Sequence, residues 1–344
     1  RLVVKPLGDS EPATGENRTK DPALAERVEI LQVSLKLPLA HLPSLRYEFA
    51  PVMEGRKVVH DFVVQNTEAN GLNIDDGSDY SNEQATHHLI IRDLVIRDVG
   101  TGGNNDCLKM SGVNDYVVMN NTIERCGAGG SGIDHVGCHH GLIARCTFET
   151  MGSNAIQLKG GTEDVEVVRC TFEDAGQRGI NIGGSTGFDY FRPPLSTEAP
   201  NAEARNVRVI ANVFGSAVTP FAFVGAVDCL VAHNTFRADD YRWLFRGLQE
   251  TTSTGDYVVL ETRDCRLVGN VFHFSRGRLS TFVNVGPNTR GDTYTISHNL
   301  WYAPDHPAES APTNLPVPET GGVYGADPFP EAATAPRITA ASPA

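Results

Sequence analysis

VVMNNTIERC (residues 117–126), LIARCTFET (142–150) and VVRCTFEDA (167–175) repeat one pattern: apolar residues, a variable residue, Asn or Cys, then Thr and an aromatic or Ile. The pattern returns in VIANVFGS (209–216), LVAHNTFRA (230–238), LVGNVFHF (267–274) and ISHNLWY (296–302), with Asp93 in LIIRDLVIRD (89–98) as a looser, earlier member. Its key positions are Asn121, Cys146, Cys170, Asn212, Asn234, Asn270 and Asn299. They are 22 to 29 residues apart, except for 42 between Cys170 and Asn212 and 36 between Asn234 and Asn270. A fixed period of this size is the mark of a repeat architecture and outranks any single motif.

Between these segments runs a second set: GLNIDDG (71–77), DCLKMSG (106–112), GIDHVG (132–137), AIQLKGG (155–161), GINIGGS (179–185), FAFVGA (221–226), WLFRGL (243–248) and FVNVGP (282–287). Each alternates with period two and ends at Gly or a turn, as a strand with one buried face does. Two short strands per turn of about 24 residues, stacked rung on rung, describe an all-β solenoid, the parallel β-helix. Equivalent residues of adjacent coils then lie about 4.8 Å apart, and inward Asn side chains hydrogen-bond along the axis as a ladder at a bend. A β-sandwich or a propeller is the competing all-β reading, but a propeller blade needs about 40 residues.

The expected organisation is an N-terminal cap and irregular first coils over 1–69, the β-helix over 70–302, and a Pro- and Ala-rich tail over 303–344, lying along the barrel or disordered. Asp21 through Gln32, with Pro22 after an N-cap candidate, predicts a short capping helix over the first coil. Solenoid ends need such lids against edge pairing.

The chain has 344 residues, 40% of them apolar, enough to bury a sizeable core. Asp and Glu outnumber Lys and Arg by 42 to 29, a formal charge of −13, which argues against a nucleic-acid partner. No apolar run approaches the length of a membrane span. The sequence opens on Arg1 without a recognisable signal segment, which reads as a processed chain and leaves export open. Seven cysteines contain no C-x-x-C pair. Cys146 and Cys170 hold matching places in two repeats, which predicts stacked, reduced, buried thiols rather than a disulfide framework.

The repeats and their Asn positions resemble the right-handed parallel β-helix superfamily, which includes pectate-lyase-like polysaccharide lyases, polygalacturonase-type hydrolases, uronate epimerases and phage tailspikes. The resemblance covers roughly residues 70–302 and implies a single-stranded right-handed solenoid acting on carbohydrate. Aligning the second set of strands on their Gly residues places Asn73, Lys109, Asp134, Gln157, Asn181, Phe223, Arg246 and Asn284 in one outward column. Packing does not require a polar outward column, so it reads as the floor of a groove. Insertions at about 184–205 and 237–262 would wall that groove, the first offering Tyr190, Phe191 and Arg192 as a ring and a carboxylate clamp.

Elimination from a uronic acid needs a group to neutralise the carboxylate, a base, and a proton donor for the departing oxygen. Lys159, Arg178, Asp134 and Lys109 are the catalytic candidates, with Lys159 as base. Gln157, Asn181, Arg246, Tyr190, Arg192, His139 and His140 are candidates for substrate binding. Asn154 and Lys159 in SNAIQLKGG resemble the corresponding pair in alginate lyases and chondroitinase B, although the Arg that family stacks on its Lys is replaced by Gly183. A hydrolase is the alternative. NNDCLKMSG resembles the polygalacturonase strand, with Asn105 in place of its first acid, and Asp75, Asp106 and Asp134 could supply a carboxyl pair. An epimerase or a noncatalytic glycan binder completes the alternatives. The partner expected is an acidic polysaccharide or oligosaccharide, which implies a secreted or periplasmic protein. No cofactor or metal motif stands out: the pair His139 and His140 has no third ligand at motif spacing, while Asp75, Asp76 and Asp79 could hold a calcium ion.

Overall fold

The computed structural model describes residues 57–100, 103–126 and 129–329, with the backbone of a strand at Val3–Val4. The expected helix over 21–32 lies outside the described residues. Three sheets run the length of the molecule, with nine, eleven and ten strands. The first contains Leu72–Asp75, Leu108–Ser111, Ile133–Val136, Asn154–Lys159, Arg178–Gly183, Thr219–Val224, Phe245–Leu248 and Val283–Val285, paired in parallel one coil to the next. Val3–Val4 joins its leading edge antiparallel to Leu72–Asp75. The second sheet begins at Lys57–His60 and the third at Val63–Thr67. No helix among the described residues is long and apolar enough to cross a membrane.

Each coil therefore carries three strands, where the sequence suggested two. The difference lies in the Asn-centred segments, which are two strands joined by a bend: Val113–Met119 and Thr122–Cys126 flank Asn120-Asn121. Asn120 takes a left-handed φ of 54°, and Asp93, Arg145, Arg169, Ala211, His233 and His298 do so at the same bend in other coils. The turn leaves backbone groups without strand partners, and the next side chain satisfies them. Asn234 Nδ2 donates to Val209 O and to Asn270 Oδ1 (2.9 and 3.0 Å), and Asn270 repeats this onto Asn299 Oδ1 at 2.9 Å. Cys146 and Cys170 take the ladder position in two coils as buried free thiols. That is the state expected for Cys146 and Cys170, while Cys107 and Cys126, for which the repeat gives no such pairing, form a disulfide.

The core is one continuous hydrophobic column. Phe148, Phe172, Phe214, Phe236, Phe272 and Trp301, each following the bend, stack with centroids 4.1 to 4.9 Å apart. Each such contact adds about 0.5–1.5 kcal/mol to the area buried.

The segment after Tyr302 closes the far end. Asn314 bonds both ways to Val283 on the first sheet, Thr320 pairs with Ser297 on the second, and Val323–Tyr324 pairs with Leu300–Tyr302 on the third. Glu319 ends the amide ladder, accepting from the N–H and Nδ2 of Asn299 and from Trp301 Nε1.

Candidate active site

The outward face of the first sheet carries the polar residues. Asn73, Lys109, Asp134, Gln157 and Asn181 are register partners on successive coils, flanked by inward Leu72, Leu108, Ile133, Ile156 and Ile180. The column then passes through Ala222, Arg246 and Asn284. Phe223 is thus not a member: it sits one residue out of phase and points into the core, edge-on to Tyr294. A slip of one residue exchanges the faces of a strand.

Lys109 Nζ donates to Asp134 Oδ2, and Lys159 Nζ lies 3.5 Å from Asp134 Oδ1. Asp134 is 2% exposed, whereas the two lysine side chains are 21% and 16% exposed. The carboxylate thus lies beneath the ammonium groups that face solvent. Asp106, equally buried, lies 3.9 Å from Lys109 Nζ and accepts the Ser131 N–H at 2.7 Å. Burial, and then the charge of Asp134, push its pKa up to about 6.

Lys109 and Lys159 line a cleft of about 460 Å³ with Asp75, Tyr80, Tyr190 and Arg192. The insertion after Gly183 crosses back over earlier coils to form its wall. Arg192 Nε donates to the buried Asp76 Oδ2 at 2.6 Å, and its guanidinium stacks 3.9 Å above the Tyr80 ring. Gly137 permits this approach: its φ is 57°, and a Cβ there would fall 2.3 Å from Arg192 Cβ. Asp76 is thereby engaged by an arginine, and Asp79 accepts from Asn82, so the candidate calcium carboxylates serve local partners.

Farther along the face, a second hollow of about 430 Å³ contains Gln157, Arg178, Asn181, Arg242, Trp243 and Arg246. The guanidiniums of Arg242 and Arg246 both lie over the Trp243 ring, 4.4 and 4.5 Å from its centroid. Arg178 bonds Asn181 Oδ1 and Glu250, at 2.7 and 3.1 Å. Arg178 therefore belongs with Arg246 rather than with Lys159. Ser185 borders both hollows.

His139 and His140, expected among the substrate-binding residues, open the strand His139–Ala144 of the second sheet and line neither hollow. His139 Nε2 lies 3.0 Å from Gly161 O and 3.2 Å from Arg192 O, buried under the insertion that it ties down. His140 is exposed near Asp115 and Asp164.

Glu203 escaped the sequence reading. It is fully buried and accepts from Gly160 N–H, Thr186 N–H and Thr186 Oγ1 at 2.7 to 2.8 Å, and from Thr251 Oγ1. One carboxylate thus fastens the coil to both long insertions. Within NAEARN nothing in residue type or spacing distinguishes it from a solvated Glu.

A family model described as a right handed beta helix region matches residues 52–191. Among solved structures, the chain is similar to an alginate lyase from Paenibacillus sp., with 9% identity, a TM-score of 0.42, and coverage of 70% of this chain and 91% of that one. It is also similar to a tailspike protein of E. coli bacteriophage HK620 in complex with a pentasaccharide (11% identity, TM-score 0.43, 72% and 48% covered). A third is an exopolygalacturonase from Thermotoga maritima (13% identity, TM-score 0.37, 64% and 51% covered). The chain spans about half the length of the last two. No curated protein matches the chain. With three parallel sheets wound into one solenoid, and that match across its first coils, the chain has the fold of a right-handed parallel β-helix.

Proposed function

We propose that the chain is a polysaccharide lyase that cleaves a uronic-acid-containing glycan by β-elimination on the outward face of the first sheet. One observation carries the reading: Lys109 and Lys159, from different coils, line one cleft while sharing the buried carboxylate of Asp134. In this scheme Lys109 neutralises the uronate carboxylate, which acidifies the neighbouring proton. Lys159 removes that proton after passing its own to Asp134 Oδ1, the oxygen without a hydrogen-bond partner among the described residues. Tyr190, exposed on the cleft wall, protonates the departing oxygen. The polymer continues past Ser185 into the second hollow, where Arg178, Arg242 and Arg246 meet further carboxylates. A secreted or periplasmic setting fits this substrate and the Cys107–Cys126 disulfide.

A hydrolase reading draws on Asp106, held near 6 beside Asp134, since a protonated and an ionised carboxyl make a glycosidase pair. Both acids lie under the lysines, however, and neither lines the cleft. Incubation with a panel of uronate polymers separates the readings. Ultraviolet absorbance from an unsaturated product, lost in Lys159→Ala with binding kept, supports elimination. New reducing ends without that absorbance mean hydrolysis. Polymers of unchanged length with altered uronate composition mean epimerisation, and unchanged polymers that still bind mean a binding protein.

A further inference from the structure

On the second sheet, away from the cleft, His87 and His88 open the coil after Thr86. Consecutive residues of a strand normally point to opposite faces. His88 breaks the alternation with a left-handed φ of 57°, and the two Nδ1 atoms come within 2.5 Å of each other, their rings at 82°. Both residues are nearly buried, 2% and 4% exposed. Asp115, at the same place on the next coil and also left-handed, brings Oδ2 to 3.9 Å from His88 Nδ1. The three ligand atoms all lie within 4.8 Å of one another.

We propose that His87, His88 and Asp115 bind a divalent transition metal of the zinc class. Two imidazole nitrogens and one carboxylate oxygen form a donor set suited to zinc rather than to calcium or magnesium, which favour oxygen alone. Two nitrogens this close repel unless a proton or a cation satisfies their lone pairs, and a bound cation would accept both, the rings parting to the wider nitrogen spacing that tetrahedral zinc requires. The next coils supply support. His140 Nδ1 lies 3.6 Å from Asp115 Oδ1, and its Nε2 lies 3.6 Å from Asp164 Oδ2, so imidazole and carboxylate alternate along the solenoid axis. In later coils Asn206, Asp228 and Asp264 adopt the same left-handed conformation without a histidine. The backbone geometry is thus general, but this donor set belongs to the first coils. His140 is a positioning residue for Asp115.

The test uses the full chain, stripped with a chelator and dialysed against Zn²⁺. The unaltered protein should retain one equivalent of zinc and melt at a higher temperature with the metal than without it. Co²⁺ in its place should give the visible bands of a low-coordinate site. His88→Asn, which tolerates the left-handed backbone, and Asp115→Asn should each lose that equivalent and the melting shift. His140→Ala should keep the equivalent at about tenfold weaker affinity. Should His88→Asn fail to fold, the isosteric Asp115→Asn decides alone. Zinc retained undiminished in Asp115→Asn, or no uptake by the parent, overturns the proposal.

Discussion

Lys159 stands two coils beyond Lys109, yet its Nζ lies 3.5 Å from the same carboxylate, that of Asp134, that Lys109 grips from the other side. The pairing crosses three rungs of the first sheet. Lys109 is the register partner of Asp134, whereas Lys159 pairs with Val136 and reaches back diagonally over the same outward face.

Removing that carboxylate leaves two ammonium groups facing each other above a polar void. Loss of one partner from a buried pair costs about 3–5 kcal/mol, but these lysines are partly exposed and can turn toward water. Asp134→Asn is therefore expected to lower unfolding free energy by about 1–3 kcal/mol in urea titrations. Stability equal to the parent's would mean that Asp134 does not organise the lysines.

Asp106 titrates near 6 in the folded chain and near 3.8 as a free side chain. Between these values the native state binds the extra proton, so stability falls as pH rises from about 4 to about 6, and the loss of about 3 kcal/mol is complete above that window. Asp106→Asn keeps an acceptor for the Ser131 N–H and removes the titration. The variant should gain on the parent as pH increases from 4 to 7, read from urea midpoints. Parallel pH profiles for the two proteins would refute the assignment.

Glu203→Ala takes the acceptor from Gly160, Thr186 and Thr251 together. Orphaned buried donors cost about 1–3 kcal/mol each without adding fully, so a loss of at least about 3 kcal/mol is expected. Hydrogen exchange should accelerate in both 184–205 and 249–262. Acceleration confined to one insertion would show that the other is anchored independently.

At Gly137 a methyl group would collide with Arg192 and adopt an unfavourable φ. Gly137→Ala is expected to cost about 1–3 kcal/mol and to displace the cleft wall. Glycan binding should weaken while the signature of the sheets in circular dichroism persists. Unaltered affinity would separate the Arg192 segment from recognition.

The solenoid was legible because its core repeats in residue type: Asn or Cys at the bend and an aromatic just after it recur in coil after coil. The groove face was legible wherever strands end alike. It failed at Phe223 because GINIGGS carries two glycines, and aligning its Gly183 with Gly225 shifts FAFVGA by one place, whereas Gly183 pairs with Val224. Small Ala222 between two phenylalanines was the available clue. The Cys107–Cys126 bridge joins the start of one coil, before Leu108–Ser111, to the end of the third strand of that same coil, Thr122–Cys126, and has no counterpart elsewhere in the repeat. Contacts made by the insertions, Arg192 with Asp76 and Glu203 with Thr251, span 116 and 48 residues and follow no period, so nothing in the local sequence announces them.

Glu319 has a carboxylate where the rungs from Asn121 to Asn299 offer an amide or a thiol, and a carboxylate accepts without donating. The axial relay therefore stops there, and the same segment occupies the open edges of all three sheets. A chain cut before Asn314 would present three bare edges and an unquenched Asn299, a surface on which another molecule could continue the winding. Such a truncation should convert a discrete particle into end-to-end rods.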